Sequence, residues 1–194
     1  MPIEISKPRL QCLLVKFKKE AYAEDGKYEP TPYGTKIRES KMDCWNFTDE
    51  YCGDARFAGM ELLSQSLTGD VSSKRGSFTI GKIVGIWNMT YYGGLISEDI
   101  PKYNVFEFLK YPLKAVPLDL PFRGPIGRFS NKDFPDFFCK KSFCGFEYQN
   151  ELVEGSDVTN ATGVEKILFD GKEVYKLHWS GGLLMKDLRD VALV

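Results

Sequence analysis

Residues 10–23 form the first periodic stretch of the chain. Leu10, Leu13, Leu14 and Phe17 recur at helical spacing, and Lys16, Lys18, Lys19 and Glu20 read as the opposite, solvated face. The spacing predicts an amphipathic helix that stops near Asp25-Gly26, where glycine supplies a left-handed cap. Residues 27–41 are polar, carry Pro30, Pro32 and Gly34, and read as loop. Three strand patterns follow. Residues 43–52 are rich in aromatics, residues 57–64 carry Phe57, Met60 and Leu62, and residues 80–96 hold Ile86, Met89 and Tyr91 and stop at Gly93-Gly94-Leu95. The small, polar and charged residues 64–82 predict a long, mobile hairpin loop.

The order of patterns then recurs. Val105, Phe106, Phe108, Leu109, Leu113 and Val116 form a second helical stripe, with Pro112 inside it as a kink or an early end. Residues 117–125 are proline-rich and extended, and residues 137–148 read as a strand, followed by a polar loop through Asn160. Residues 163–169 and 173–184 read as a hairpin across Asp170-Gly171, a favoured two-residue turn. A short charged tail, residues 185–190, follows.

Set side by side, the halves correspond. Gly59 falls on Gly163 and Glu61 on Glu165, while Gly93-Gly94 aligns with Gly181-Gly182. Counting back by twos, Tyr91 meets Trp179, Met89 meets Leu177 and Trp87 meets Tyr175, so both strands bury the same parity. The expected fold is α+β: a tandem duplication of a helix plus three antiparallel strands, giving a curved antiparallel sheet with the helices on one face. It is read as one domain of two repeats, about 8–98 and about 99–186, with a ligand-sized groove between them.

Composition narrows the function classes. Apolar residues make up 43% and charged residues 27%, as in an ordinary globular protein, and the formal net charge is −1. Such a balance gives no global field for nucleic acid or an anionic membrane. No apolar run approaches the roughly 20 residues of a membrane span. The start, Met1-Pro-Ile-Glu-Ile-Ser, lacks the regions of a signal peptide, so the expectation is a soluble cytoplasmic protein. The five cysteines lack the two-residue spacing of a zinc knuckle, and His178 is the sole histidine. They read as reduced, half-buried thiols acting as small apolar side chains, with no metal or cofactor expected.

Several residues are candidates for chemistry, each with a structural alternative. Glu61 and Glu165 could do acid–base work or bind a metal as a pair, or fix their hairpins through backbone or Lys/Arg bonds. Arg123, in Pro121-Phe-Arg-Gly-Pro125, could clamp an anion, cap helix carbonyls, or pair with Glu61 or Glu165. Trp87, Tyr91, Tyr175 and Trp179 alternate as core. Asn88, Thr90, Tyr92, Lys176 and His178 share the other face, as solvated surface or as a groove floor. The ligand-binding candidates are therefore Glu61, Asn88, Tyr92, Arg123, Glu165 and His178.

The segments Asp49-Glu-Tyr-Cys-Gly-Asp-Ala-Arg-Phe-Ala-Gly-Met-Glu61, Trp87-Asn-Met-Thr-Tyr-Tyr-Gly-Gly94, Pro121-Phe-Arg-Gly-Pro125 and Lys172-Glu-Val-Tyr175 with Gly181-Gly182 give the chain a family likeness. It resembles domain of unknown function 5680, from the first helix to Leu184. Members of that family often follow a helix-turn-helix domain of the Xre type. The chain shows no such motif, so DNA binding is not carried over, and the family supplies no reaction to transfer. The favoured expectation is a non-enzymatic small-molecule-binding or sensing domain. Behind it stand a protein-interaction module with a regulatory role, and an enzyme using Glu61, Glu165, Arg123 or His178. A small-molecule ligand and a homo-oligomer are both compatible with the sequence; direct nucleic-acid or membrane partners are not expected.

Overall fold

The computed structural model describes residues 3–23, 29–30, 35–73, 76–130, 133, 143–184 and 191–193. Helix α1, Lys7–Ala23, buries Leu10, Leu13, Leu14, Phe17 and Ala21. Helix α2, Lys102–Lys114, runs through Pro112 without a break and buries Val105, Phe108, Leu109 and Leu113. Pro112 is tolerated because it sits in the last turn, near the end that α2 would reach anyway.

The strands form one large sheet. Its members are β2 (Glu29–Pro30), β3 (Thr35–Met42), β4 (Trp45–Gly53), β5 (Arg56–Ser73), β6 (Gly76–Leu95), β7 (Gly127–Ser130), β8 (Phe146–Leu152), β9 (Asn160–Phe169) and β10 (Lys172–Leu183). The nine are ordered β2-β3-β4-β5-β6-β10-β9-β8-β7, and every pairing is antiparallel. Separately, β1 (Ile3–Ile5) and β11 (Val191–Leu193) pair in parallel as a two-stranded sheet.

This architecture corrects the expected tandem of a helix plus three strands. The sheet has nine strands where the tandem supplies six: β2 and β3 add to β4 at one edge and β7 to β8 at the other, while β6 and β10 pair over nine residues, from Tyr175↔Leu95 to Leu183↔Trp87, at its centre. Two readings failed locally. Residues 35–41, read as loop, lie in strand β3; its charged residues pair along β4 near the sheet edge, where polar side chains are tolerated. Arg38 is buried there and donates through Nη1 to the carbonyl of Ala21 and through Nη2 to that of Glu20. It thus meets orphan carbonyls at the end of α1. The expected loop at 64–82 is a continuous β5–β6 hairpin as far as Ser73↔Gly76. The expected helix stop at Asp25-Gly26, the first residues of the strand read at 137–148, and the tail 185–190 lie outside the described residues.

Other expectations match. The hairpin across Asp170-Gly171 is present, with φ of 48° and 77°, the positive pair that a two-residue turn of this hand requires. Trp87, Met89, Tyr91, Tyr175, Leu177 and Trp179 are buried in one core. Between Leu63 and Ser64 of β5 the register against β6 shifts and leaves Ile86 of β6 unmatched, so Ile86 and Trp87 are both buried although adjacent.

The space over the β6–β10 seam is filled. Phe122 is wedged between Trp87, at 5.2 Å between ring centroids, and Trp179, stacked at 5.0 Å. The carbonyl of Gly124 accepts from the Asn150 side chain at 2.9 Å, and Asn150 Oδ1 accepts from the Trp179 indole at 3.2 Å. The segment Pro121 to Gly124 is buried throughout, and the prolines at 121 and 125 that bound the turn stiffen it, so it enters the core with little entropy left to lose.

Candidate functional site

The two candidate glutamates are fully buried, and each meets a cation. Glu61, on β5, accepts from Lys18 of α1, whose Nζ also donates to the Phe122 carbonyl at 2.7 Å and stands 4.9 Å from the Trp87 ring centroid. Glu165, on β9, accepts from Arg123 through Nε at 3.2 Å and Nη2 at 2.8 Å. It also accepts from the hydroxyls of Tyr148 at 2.7 Å and Tyr175 at 3.3 Å. Lys18 corrects the sequence reading, which put it on the solvated face of α1. It lies one turn beyond Leu14, at the edge of the apolar stripe, so the spacing carried the signal.

Burial raises the Glu61 carboxyl above its ordinary range, against the opposing charge of Lys18. Burial likewise lowers Lys18, against Glu61. The Tyr148 and Tyr175 hydroxyls are pushed well up, first by burial and then by the adjacent Glu165 carboxylate, so both remain hydrogen-bond donors. Neither glutamate is among the residues lining the cavity under α2.

The cavity opens beside the seam, under α2. Its volume is about 280 Å³. Asp49 and Tyr51 of β4, Phe57 of β5 and Tyr91 of β6 form the sheet side, and Phe106, Leu109 and Leu113 of α2 form the other. The Phe57 ring centroid lies 5.9 Å from Tyr51, 6.0 Å from Tyr91 and 6.1 Å from Phe106, so the walls are a continuous aromatic cluster. The polar end is built from Tyr91, whose hydroxyl donates to Asp49 Oδ1 at 2.6 Å, and Arg123, whose guanidinium carbon stands 5.6 Å from the Tyr91 ring. All three are buried. At the rim, exposed Lys102 donates to exposed Asp54. Burial, then Asp49 and Asp54, raise the Tyr51 hydroxyl, which therefore stays protonated at the edge of the cavity.

Of the six candidates, only Arg123 reaches this cavity. Tyr92 is 62% exposed on the opposite face, and its ring stacks on His178 at 5.1 Å with an interplanar angle of 12°. The pair borders a surface concavity of about 380 Å³ with Thr90, Thr162 and Ser180. Asn88 is half-buried in β6, opposite Gly182 of β10. Sequence reasoning missed Asp49, Tyr51, Phe57, Lys102 and Phe106. Asp49 had a signal: with Trp45 and Phe47 it occupies the inward parity of β4, an unusual place for a carboxylate.

Among the described residues no group of three or more His, Cys, Asp or Glu is placed to hold a metal ion. Of the described cysteines only Cys44 is half-buried; Cys12, Cys52 and Cys144 are exposed, contrary to the expectation of half-buried thiols. No helix among the described residues is long and apolar enough to cross a membrane.

The family model for a domain of unknown function, DUF5680, matches residues 78–184, more than half of the chain and from within β6 to just beyond β10. No curated protein and no solved structure matches.

Proposed function

From a chain that belongs to the DUF5680 family, whose description carries no activity, we propose a small-molecule-binding domain whose ligand occupies the cavity under α2. The observation that carries this reading is the composition of that cavity: aromatic and leucine walls closing on a few convergent polar groups, Asp49, Tyr91 and Arg123. Sites for small ligands have that make-up, a mostly apolar enclosure with a small number of placed polar groups that set orientation. The polar groups are held before any ligand arrives, Asp49 by Tyr91 and Arg123 by Glu165, so little ordering is left for binding to supply. The Lys102–Asp54 pair spans the rim and has only to part for entry, at the small cost of an exposed ion pair.

A thermal-shift screen of small metabolites tests the reading. A compound present at about 100 times its Kd should stabilise the fold by about 2.7 kcal/mol, which for a chain of this size raises Tm by several degrees. Phe106→Trp, which fills the mouth from α2, should abolish that shift while leaving the ligand-free protein folded. A screen in which no compound raises Tm, or in which the shift survives Phe106→Trp, overturns the assignment.

A further inference from the structure

We infer a second binding site on the other face of the sheet, a shallow saccharide site built around the Tyr92–His178 stack. It stands independently of the cavity reading above. Helix α1 meets the sheet through Phe17 on Phe47, and α2 through Phe106 on Tyr175, both on the inward parity that also buries Trp87 and Trp179. Residues of the opposite parity point away from the helices. There the register lays out two neighbouring rows. Tyr92 of β6, His178 of β10, Val164 of β9 and Glu151 of β8 lie side by side. Thr90, Ser180 and Thr162 lie side by side two residues away along β6, β10 and β9. Strands about 4.8 Å apart and rows about 6.6 Å apart give the patch the scale of a sugar ring with its substituents. The two rows line the concavity of about 380 Å³, more than twice the roughly 150 Å³ that encloses a benzene molecule. One sugar ring and part of the next fit it.

The chemistry of the patch matches a saccharide, whose C–H surfaces are edged by hydroxyls that both donate and accept. The C–H surface meets the exposed Tyr92 ring at one end and the exposed Val153 at the other. The stack, at 5.1 Å and 12°, holds the Tyr92 and His178 rings in place before a ligand arrives, so little ordering is left for binding to supply. The sugar hydroxyls meet groups of matching sense. Thr90, Ser180 and Thr162 are exposed; Thr90 Oγ1 donates to the Ser180 carbonyl at 3.3 Å, and Thr162 Oγ1 and Ser180 Oγ lie 3.0 Å apart. One hydroxyl oxygen holds two lone pairs beside its proton, so these contacts leave acceptor capacity in the row. Among the described residues, the Tyr92 hydroxyl and the His178 ring nitrogens have no hydrogen-bond partner. Glu151 lines the far end, 61% exposed, with Lys166 at 3.6 Å, and its carboxylate suits a pair of adjacent sugar hydroxyls. A peptide strand does not fit here. β6, β10, β9 and β8 are each paired on both sides, so recognition falls on side chains and not on an open backbone edge.

Titration of the full chain with glucose, N-acetylglucosamine, cellobiose and maltose, followed in amide proton–nitrogen spectra, tests the inference. At least one of the four should bind with a millimolar Kd and shift the amides of Thr90, Tyr92, Thr162, His178 and Ser180. Tyr92→Ala, which removes the ring surface, should weaken that binding about tenfold. Thr162→Val, an isosteric change at an exposed strand position, should weaken it about fivefold. Phe106→Trp, on the other side of the sheet, should leave it unchanged. The inference falls if none of the four sugars shifts those amides, or if binding survives both Tyr92→Ala and Thr162→Val. It falls as well if binding is lost in Phe106→Trp and kept in the other two, a result that would place the sugar in the cavity under α2 and uphold that reading instead.

Discussion

Two buried carboxylates lie one strand away from the β6–β10 seam on opposite sides, and they are held in different ways. Glu165 faces a guanidinium that gives it two N–H bonds from a fixed fork, with two tyrosine hydroxyls completing its shell. Glu61 faces a lysine ammonium, a point charge on a flexible stem that also serves the Phe122 carbonyl. The first cation cannot lose its proton inside a protein; the second can. Burial acts on the Lys18–Glu61 pair from both ends, lowering the lysine and raising the glutamate, and so works against its ionic form while their mutual attraction favours it. The two sides of the seam therefore share burial but not chemistry: one carboxylate meets a fixed guanidinium fork, the other an ammonium that is able to lose its proton.

The largest expected difference comes from removing each carboxylate. Glu165→Leu strands a permanent cation and leaves two buried hydroxyls without their acceptor, and should cost about 3–5 kcal/mol by equilibrium denaturation. Glu61→Leu should cost less, about 2–3 kcal/mol, because Lys18 can shed its proton instead of remaining a buried ion. Equal losses would break the comparison.

A smaller contrast tests the packing beside each carboxylate. A Cβ at Gly59 would stand 2.5 Å from the Tyr91 ring, and one at Gly163 would stand 2.4 Å from the Trp179 ring. Both glycines thus permit close approach of an aromatic from the next strand. Either alanine should cost about 1–3 kcal/mol through overpacking. Gly163→Ala should be the worse of the two in thermal melts. Trp179 is pinned by Asn150 and stacked on Phe122, whereas Tyr91 borders the cavity and has room to yield.

The smallest effect is in pH. Because the folded Glu61 carboxyl titrates above its ordinary value near 4.5, there is a window in which the folded protein holds a proton that the unfolded chain has released. The contribution of this group is fully present below the unfolded value and is lost as pH rises through the folded one. Denaturation midpoints of the wild type and of Glu61→Leu, measured from about pH 4 to about pH 7, should converge as pH rises, by about 1.4 kcal/mol for each unit that the carboxyl is raised. Curves that stay parallel would show that Lys18 holds Glu61 as an ion throughout.

Much of the local structure could be read from the chain. The apolar spacing placed both helices, and alternation assigned Trp87, Tyr91, Tyr175 and Trp179 to the core. Asp170-Gly171 announced its turn because few residues take positive φ there without strain. Arg123 was weighed as a partner for Glu165 before any contact was visible, and the pair exists. These properties are set within a few residues, by helical or strand period and by backbone sterics, and such determinants travel with the sequence.

What the sequence left open depends on distant neighbours. Residues 35–41 and, of the loop read at 64–82, residues 64–73 and 76–82 become strand only because β4 and the opposing arm of the hairpin supply their hydrogen bonds, so their polar composition was a poor guide. The union of β6 with β10 is a pairing choice between strands some eighty residues apart, and strands added at both edges make the sheet nine-stranded in place of the expected tandem. The cavity is more distant still from any local pattern. It exists where α2 crosses β4, β5 and β6, and its lining comes from residues between Asp49 and Arg123 that no spacing connects. Local period fixes which face of an element is apolar; only tertiary packing decides which faces meet and where they fail to close.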